Sequence, residues 1–267
     1  MAETMQMGVR RFGHVNWLGL YTLASREIRR FMNVWTQTLL APLITAGLFL
    51  AVFTLAIGAS RGEVMGVPFV QFLAPGILMM TVIQNAFANT SSSIMAAKVH
   101  GNIVDTLMPP LSPLELVLGY MAGAIARGLF VAAAIIAMMV TSIGAGLAHP
   151  GWVLVFVVLG AAFLGALGIV AAILAQKFDQ MAAITNFVIT PLSFLSGTFY
   201  TIEALPPAMQ TLTHLNPVFY LIDGVRYGMI GTSDSPPWLG LLVVCLTTAG
   251  VLMLCWAWFR RGYRLKA

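Results

Sequence analysis

The chain has 267 residues, of which 59% are hydrophobic and 9% charged, with a formal charge of +5 and a mean hydropathy of +0.90. Soluble domains carry about 25% charged residues, so a chain this poor in charge does not cover a water-facing surface, and lipid is its solvent. The basic excess lies beside the apolar runs rather than on one soluble face, which excludes a nucleic-acid partner and points to membrane orientation.

The first thirty residues hold Arg10, Arg11, Arg26, Arg29 and Arg30, and no early apolar run ends at a small-residue cleavage site, so no signal peptide is expected. In "HVNWLGLYTLASREIRRFMNV", Trp17, Leu20, Tyr21, Ala24, Ile28 and Phe31 recur at helical spacing, while Thr22, Ser25, Arg26, Arg29 and Arg30 take other faces. That pattern predicts an amphipathic helix within residues 1–33, lying in the headgroup plane. It reads either as a plain anchor or as an elbow that carries force into the first span.

Six spans follow, at about 34–57, 69–95, 114–143, 152–175, 181–199 and 238–259. Open-chain spans are helical because hydrocarbon offers backbone groups no partner, and no alternating strands suggest a barrel. The expected fold is an all-α integral membrane protein: one transmembrane domain over 34–259 and a basic tail over 260–267. Cys245 and Cys255 fall in the last span, about 15 Å apart along a helix and too far for a disulfide. With six spans both termini share a side. That side collects Arg10, Arg11, Arg26, Arg29, Arg30, Lys98, Lys177, Arg260, Arg261, Arg264 and Lys266, against Arg61 and Arg226 opposite. Eleven against two puts both termini in the cytoplasm.

"KVHGNIVDTLMPPLSPLEL", residues 98–116, is then cytoplasmic. Ile103 and Leu107 share a face of a short helix, with Asn102 and Asp105 off that face. Pro109 and Pro110 stop it. Ser112, Pro113 and Glu115 read as cap, first residue and first-turn acid of the third span. The segment 200–237 is external. Pro206-Pro207 starts one short helix there, and Asn216-Pro217 caps and starts another. Both are too short to span, so a re-entrant pair is expected. Asp223 and Arg226 are placed for a local ion pair.

Chemistry-bearing motifs are missing. A P-loop needs glycine before lysine, and Lys98, Lys177 and Lys266 follow alanine, glutamine and leucine. The histidines are scattered, no metal-ligand spacing occurs, and the spans hold no paired carboxylates. The polar residues within spans are more informative. Thr81, Asn85, Asn89 and Ser92 share a face of the second span; Asn186, Thr190, Ser193 and Gly197 share one of the fifth. They line a translocation path or bond neighbouring helices. Arg127 lies deep in the third span, on one face with Gly119 and Gly123, whose G-x-x-x-G spacing favours close packing. Bonding to neighbouring helices is favoured for Arg127 over substrate contact.

The stretches "RFMNVWTQTLLAPLIT", "QFLAPGILMMTVIQNAFANTSSS", "GYMAGAIARGLFV", "FVITPLSFLSGTFY", "LPPAMQTLTHLNPVFYLIDGVRYG" and "RRGYRLKA" together resemble the small ABC-2-type permeases, and most closely their YadH-like bacterial branch. The resemblance covers nearly the whole chain. It implies an inner-membrane exporter subunit that works as a dimer. Each protomer would pair with a separate ATPase subunit, which uses ATP and Mg, while this chain binds no cofactor itself. It also implies that the loop at 97–108 is the coupling helix. The docking residues would be Lys98, His100, Gly101, Asn102, Ile103, Asp105 and Leu107. Arg26, Arg29 and Arg30 of the elbow, and Lys177 and Asp179 between the fourth and fifth spans, would add to them. Family members often carry Gly-Thr where this chain has Gly101-Asn102. The competing reading is an ATP-independent secondary transporter or channel. That reading wants midplane carboxylates or inverted repeats, and the spans offer neither.

Overall fold

A computed structural model describes residues 15–58 and 62–264. Arg10, Arg11, Arg61 and Lys266, used above for orientation, lie outside the described residues.

Helix α1 (Trp17–Met32) starts where the Asn16 side chain accepts a hydrogen bond from the Gly19 N–H. It buries Leu23, Glu27 and Phe31 and exposes Trp17, Leu18 and Tyr21. Helix α2 (Trp35–Phe53) runs on through a widened turn, Thr54–Gly58. A hairpin of β1 (Glu63–Val64) and β2 (Val67–Pro68) then reverses the chain through Met65 and Gly66, both at positive φ. That handedness matches the twist of a tight two-residue hairpin.

Helix α3 (Phe69–Val99) is the axis of the fold. It packs against α5 (Pro113–Ile143), α6 (Pro150–Leu174), α10 (Pro217–Ile230) and α2. Most of its residues are buried, which is the pattern of a helix enclosed by others. Its closest approach is to α6. A Cβ on Gly168 would sit 2.2 Å from Thr90 Oγ1, and that hydroxyl donates to the Gly165 carbonyl at 2.7 Å. Between α3 and α5 lies the five-residue α4 (Ile103–Leu107). The cap foreseen for the third span is present: Ser112 Oγ accepts from Glu115 N, and Glu115 Oε2 accepts from Ser112 N.

After α6 come α7 (Phe178–Ile184), a π-helical turn (Thr185–Ile189) and α8 (Thr190–Phe194). Then follow α9 (Pro207–His214), α10 and α11 (Pro237–Arg261). Among the described residues five helices are long and apolar enough to cross a membrane: α2 with its extension, α3, α5, α6 and α11. The expected fifth span at 181–199 differs. Its helical run starts at Phe178, stops at Phe194 and contains the widened turn. Pro191 accounts for that turn, since it has no N–H for the Phe187 carbonyl and its ring crowds that turn. The chain then folds back through Gly197, at φ 76°, instead of continuing to Phe199 as helix.

Candidate coupling surface and polar track

Helix α1 packs its buried stripe onto the start of α5. Leu23 and Glu27, one turn apart, meet Gly119 and Gly123, also one turn apart. A Cβ on Gly119 would lie 2.4 Å from Leu23 Cδ2, and one on Gly123 would lie 2.6 Å from Glu27 Cβ. The G-x-x-x-G spacing therefore serves close packing, with α1 as its partner. Glu27 is fully buried and accepts from Arg26 at 3.1 Å, Arg30 at 3.3 Å and Ser93 Oγ at 2.9 Å. Arg26 also donates to Thr106 Oγ1 on α4 at 3.1 Å. Arg30 reaches Ser92 Oγ at 3.1 Å and the backbone and side-chain oxygens of Asn89 at 2.5 and 3.1 Å. Glu115 Oε1 accepts from Asn16 N at 2.7 Å, fixing the start of α1 to α5. One ionic cluster thus joins α1 to α3 and α4. It lines a groove of about 710 Å³ bordered by Arg29, Asn33, His100, Asn102 and Asp105.

The loop from α3 to α5 departs from expectation in three residues, Lys98, Ile103 and Leu107. Lys98 is buried, and its Nζ donates to the carbonyls of Ala172, Ile173 and Ala175 at 3.0, 2.9 and 2.6 Å. It caps the end of α6, whose last carbonyls lack helical partners, and it is not a surface contact. Ile103 is also buried and Leu107 half-buried, so their shared face turns into the protein. The outward face carries His100, Gly101, Asn102, Asp105, Val104 (50% exposed) and Met108 (76% exposed). Gly101, at φ 73°, makes the left-handed turn that reverses the chain into α4. Arg29, Lys177 and Asp179 are exposed as expected, whereas Arg26 and Arg30 are tied to Glu27.

The two polar stripes meet only in part. Thr81 donates to its own helix at Ile77, and Asn85 to Thr81. Asn85 Oδ1 accepts from Arg127 at 2.9 Å, and Asn89 is fully buried against α1 and α5. The reading of Arg127 as bonded to a neighbouring helix matches this geometry. On the second stripe Asn186 is exposed, and Ser193 is buried and donates to Ile189. A groove of about 190 Å³ does separate α3 from the α7–α8 run. Its polar lining is Gln84, Ser91, Ser92, Thr185 and Thr190. Only Ser92 and Thr190 belong to the expected set. The others lie one helical position aside, where a face read by eye from spacing alone is ambiguous.

On the opposite side Asn216 caps α10, accepting from Val218 N at 3.0 Å, and Pro217 takes the first helical position. Asp223 and Arg226 pair at 3.5 Å, as the spacing predicts. The spacing hides the rest. Arg226 Nη1 lies 2.9 Å from Asp234, Nη2 donates to the Gly197 carbonyl at 2.5 Å, and the guanidinium stands 4.5 Å from the Phe72 ring centre. Asp223 in turn accepts from the N–H groups of Asp234 and Ser235 and from the Ser235 hydroxyl. Burial pushes the Asp234 carboxyl up against the downward pull of Arg226. Burial pushes the Arg226 guanidinium down against the two carboxylates. This knot ties the Phe194–Tyr200 bend, α10 and the start of α11 together. Among the described residues no cluster suited to a metal ion occurs.

An all-helical body with five helices long and apolar enough to cross a bilayer is that of an integral membrane protein. Residues 19–230 match the family model described as ABC-2 type transporter, and the chain belongs to that family. It is 37% identical over 256 residues to the inner membrane transport permease YadH of Escherichia coli K12, covering 95% of this chain and 99% of that one. It is 29% identical to nodulation protein J of Neorhizobium galegae over 88% of each chain. Against the nodulation protein J of Rhizobium leguminosarum bv. viciae it is 27% identical, over 93% of this chain and 95% of the other.

Proposed function

We propose that this permease is the membrane subunit of an ATP-driven exporter. In this reading it lies in a bacterial inner membrane with both termini in the cytoplasm. It pairs with a second copy of itself and with a separate ATPase that holds ATP and Mg. The α7–α8 run is a short sixth crossing: its 17 residues rise about 25 Å, and the bend to Tyr200 completes the passage. Helices α9 and α10 form the external re-entrant pair, and α1 is the elbow.

The observation that carries the reading is the ionic junction of α1, α3 and α4. A partner pressing on α4 acts on Thr106 and, through Arg26, on Glu27, and thus on the elbow and the central helix. The docking surface is the outward face of α4 (His100, Asn102, Val104, Asp105 and Met108) with Arg29 beside it and Lys177 and Asp179 nearby in sequence to the end of α6. The groove between α3 and the α7–α8 run is the protomer's share of the path. Closure of the nucleotide-bound ATPases biases two arrangements of the spans, which is the minimum a coupled transporter requires. The outward direction is proposed from the resemblance to the ABC-2 permeases.

Val104 and Met108 are exposed, so a Val104→Asp/Met108→Asp variant leaves the fold alone. Co-purification with the ATPase should weaken at least about tenfold and stimulated hydrolysis should vanish. Full binding and coupling in that variant sinks the docking assignment.

A further inference from the structure

Arg127 and Asn89 hold buried donors that no acceptor meets. Arg127 Nη2 donates to Asn85 Oδ1, but among the described residues its Nε has no partner. Asn89 is fully buried, and Arg30 donating to its Oδ1 fixes which end is the amine. Its Nδ2 likewise has no partner among the described residues. That amine points at α5, 2.9 Å from where a Gly123 Cβ would stand, one helical turn before Arg127. The two orphan donors therefore share the α3–α5 seam. Beside them stand Arg30 and, further out, Arg26. Glu27 serves both of those arginines, and among the described ion pairs no carboxylate serves Arg127. Two guanidiniums thus share one carboxylate, and the third, Arg127, has none among the described ion pairs.

A guanidinium without a counter-ion in apolar surroundings is destabilising unless an anion or water approaches it. Each buried donor left unmade adds to that cost. Ser92, which accepts from Arg30 at 3.1 Å, is exposed and lines the groove toward α7. Asn89 is about 15 Å up the helix from Val99 and Arg127 about 21 Å from Pro113, within the cytoplasmic half and near the middle of the bilayer. A soluble anion does not reach that depth without its own solvation, whereas an amphiphile delivers its head group there with the tail in lipid.

We propose that Arg30, Asn89 and Arg127 form a binding site for the acidic phosphoryl or carboxyl head group of a membrane amphiphile. Ser92 marks its mouth. The head group accepts from Asn89 Nδ2 and Arg127 Nε and supplies Arg127 with a counter-ion. The site stands whether or not an ATPase drives the permease.

The test uses the full chain in nanodiscs of phosphatidylcholine doped either with phosphatidylglycerol or with hexadecyl phosphate. Lipid retained after re-extraction is measured by mass spectrometry. The unmodified protein should enrich an acidic probe over phosphatidylcholine about tenfold. Enrichment of phosphatidylglycerol identifies a resident lipid, and enrichment of hexadecyl phosphate alone identifies a cargo-like amphiphile. Arg127→Gln should abolish the enrichment and Arg260→Gln, at the far end of α11, should keep it. Asn89→Asp is the decisive variant. It supplies the missing carboxylate from within, so it should melt no lower than the unmodified protein and lose the enrichment. Absence of enrichment in the unmodified protein, or enrichment that survives Asn89→Asp, overturns the site.

Discussion

Lys98 shows how far a single residue strays from its sequence neighbourhood. Its place beside His100 and Gly101 reads as loop, yet its ammonium holds three carbonyls at the end of α6. Nothing near position 98 announces where α6 ends, about 75 residues later. The Ser112–Glu115 box was legible for the opposite reason: both partners lie within one turn. Lys98→Met leaves those carbonyls unmet, and the protein should lose about 2–3 kcal/mol in a denaturant-induced unfolding assay. A drop in ATPase binding without that loss would instead make Lys98 a surface contact. Arg226 is the counterpart in α10, legible only as half of one pair. Arg226→Met strands Asp223 and Asp234, and removing one member of a buried ionic set costs about 3–5 kcal/mol. The pH sign follows from Asp234, already raised by burial and raised further without its cation. A carboxyl whose folded-state pKa lies above the unfolded value adds stability at low pH and loses it as pH rises through that pKa. The melting temperature of Arg226→Met should therefore recover on going from about pH 7 to about pH 5.

At the scale of elements, α1 behaves as part of the bundle. Its apolar spacing predicted a helix with one apolar face; of that face Trp17 and Tyr21 are exposed, while Phe31 is buried in the protein. The inner face could not be read from α1 alone, because Glu27 looks like a solvated residue among arginines until Gly119 and Gly123 appear opposite it. Gly123→Leu drives a side chain into Glu27 and should cost about 1–3 kcal/mol by overpacking. It should also release α1, so that trypsin cuts after the exposed Arg29 faster than in the unmodified protein. Equal cutting rates would detach the glycine face from elbow packing. The α7–α8 run teaches the converse lesson. Its apolar composition spoke for a full span over 181–199, while Pro191 inside the run and Gly197 just after it set the widened turn and the early stop.

For the whole molecule, hydropathy located every long helix to within a few residues, since burial in lipid is written into composition. The path and docking residues were less legible, because they depend on which face of each helix meets which neighbour. Orientation rests on charge and has a direct check. Asp105→Cys should react with an impermeant maleimide only after the cells are opened, and Thr211→Cys should react in intact spheroplasts. The opposite pattern inverts the docking surface and defeats the coupling scheme.

The contact of Gly123 with Glu27 also bears on inheritance. One position lacks a side chain because the other buries a carboxylate against it. Neither drifts freely, so in related chains the two should change together: a larger residue at 123 accompanied by a smaller or absent acid at 27. A chimera that takes its elbow from one permease and its third span from another should assemble only when both come from parents with the same pair. The amphipathic start of the chain is thus bound in descent to a helix nearly a hundred residues further on.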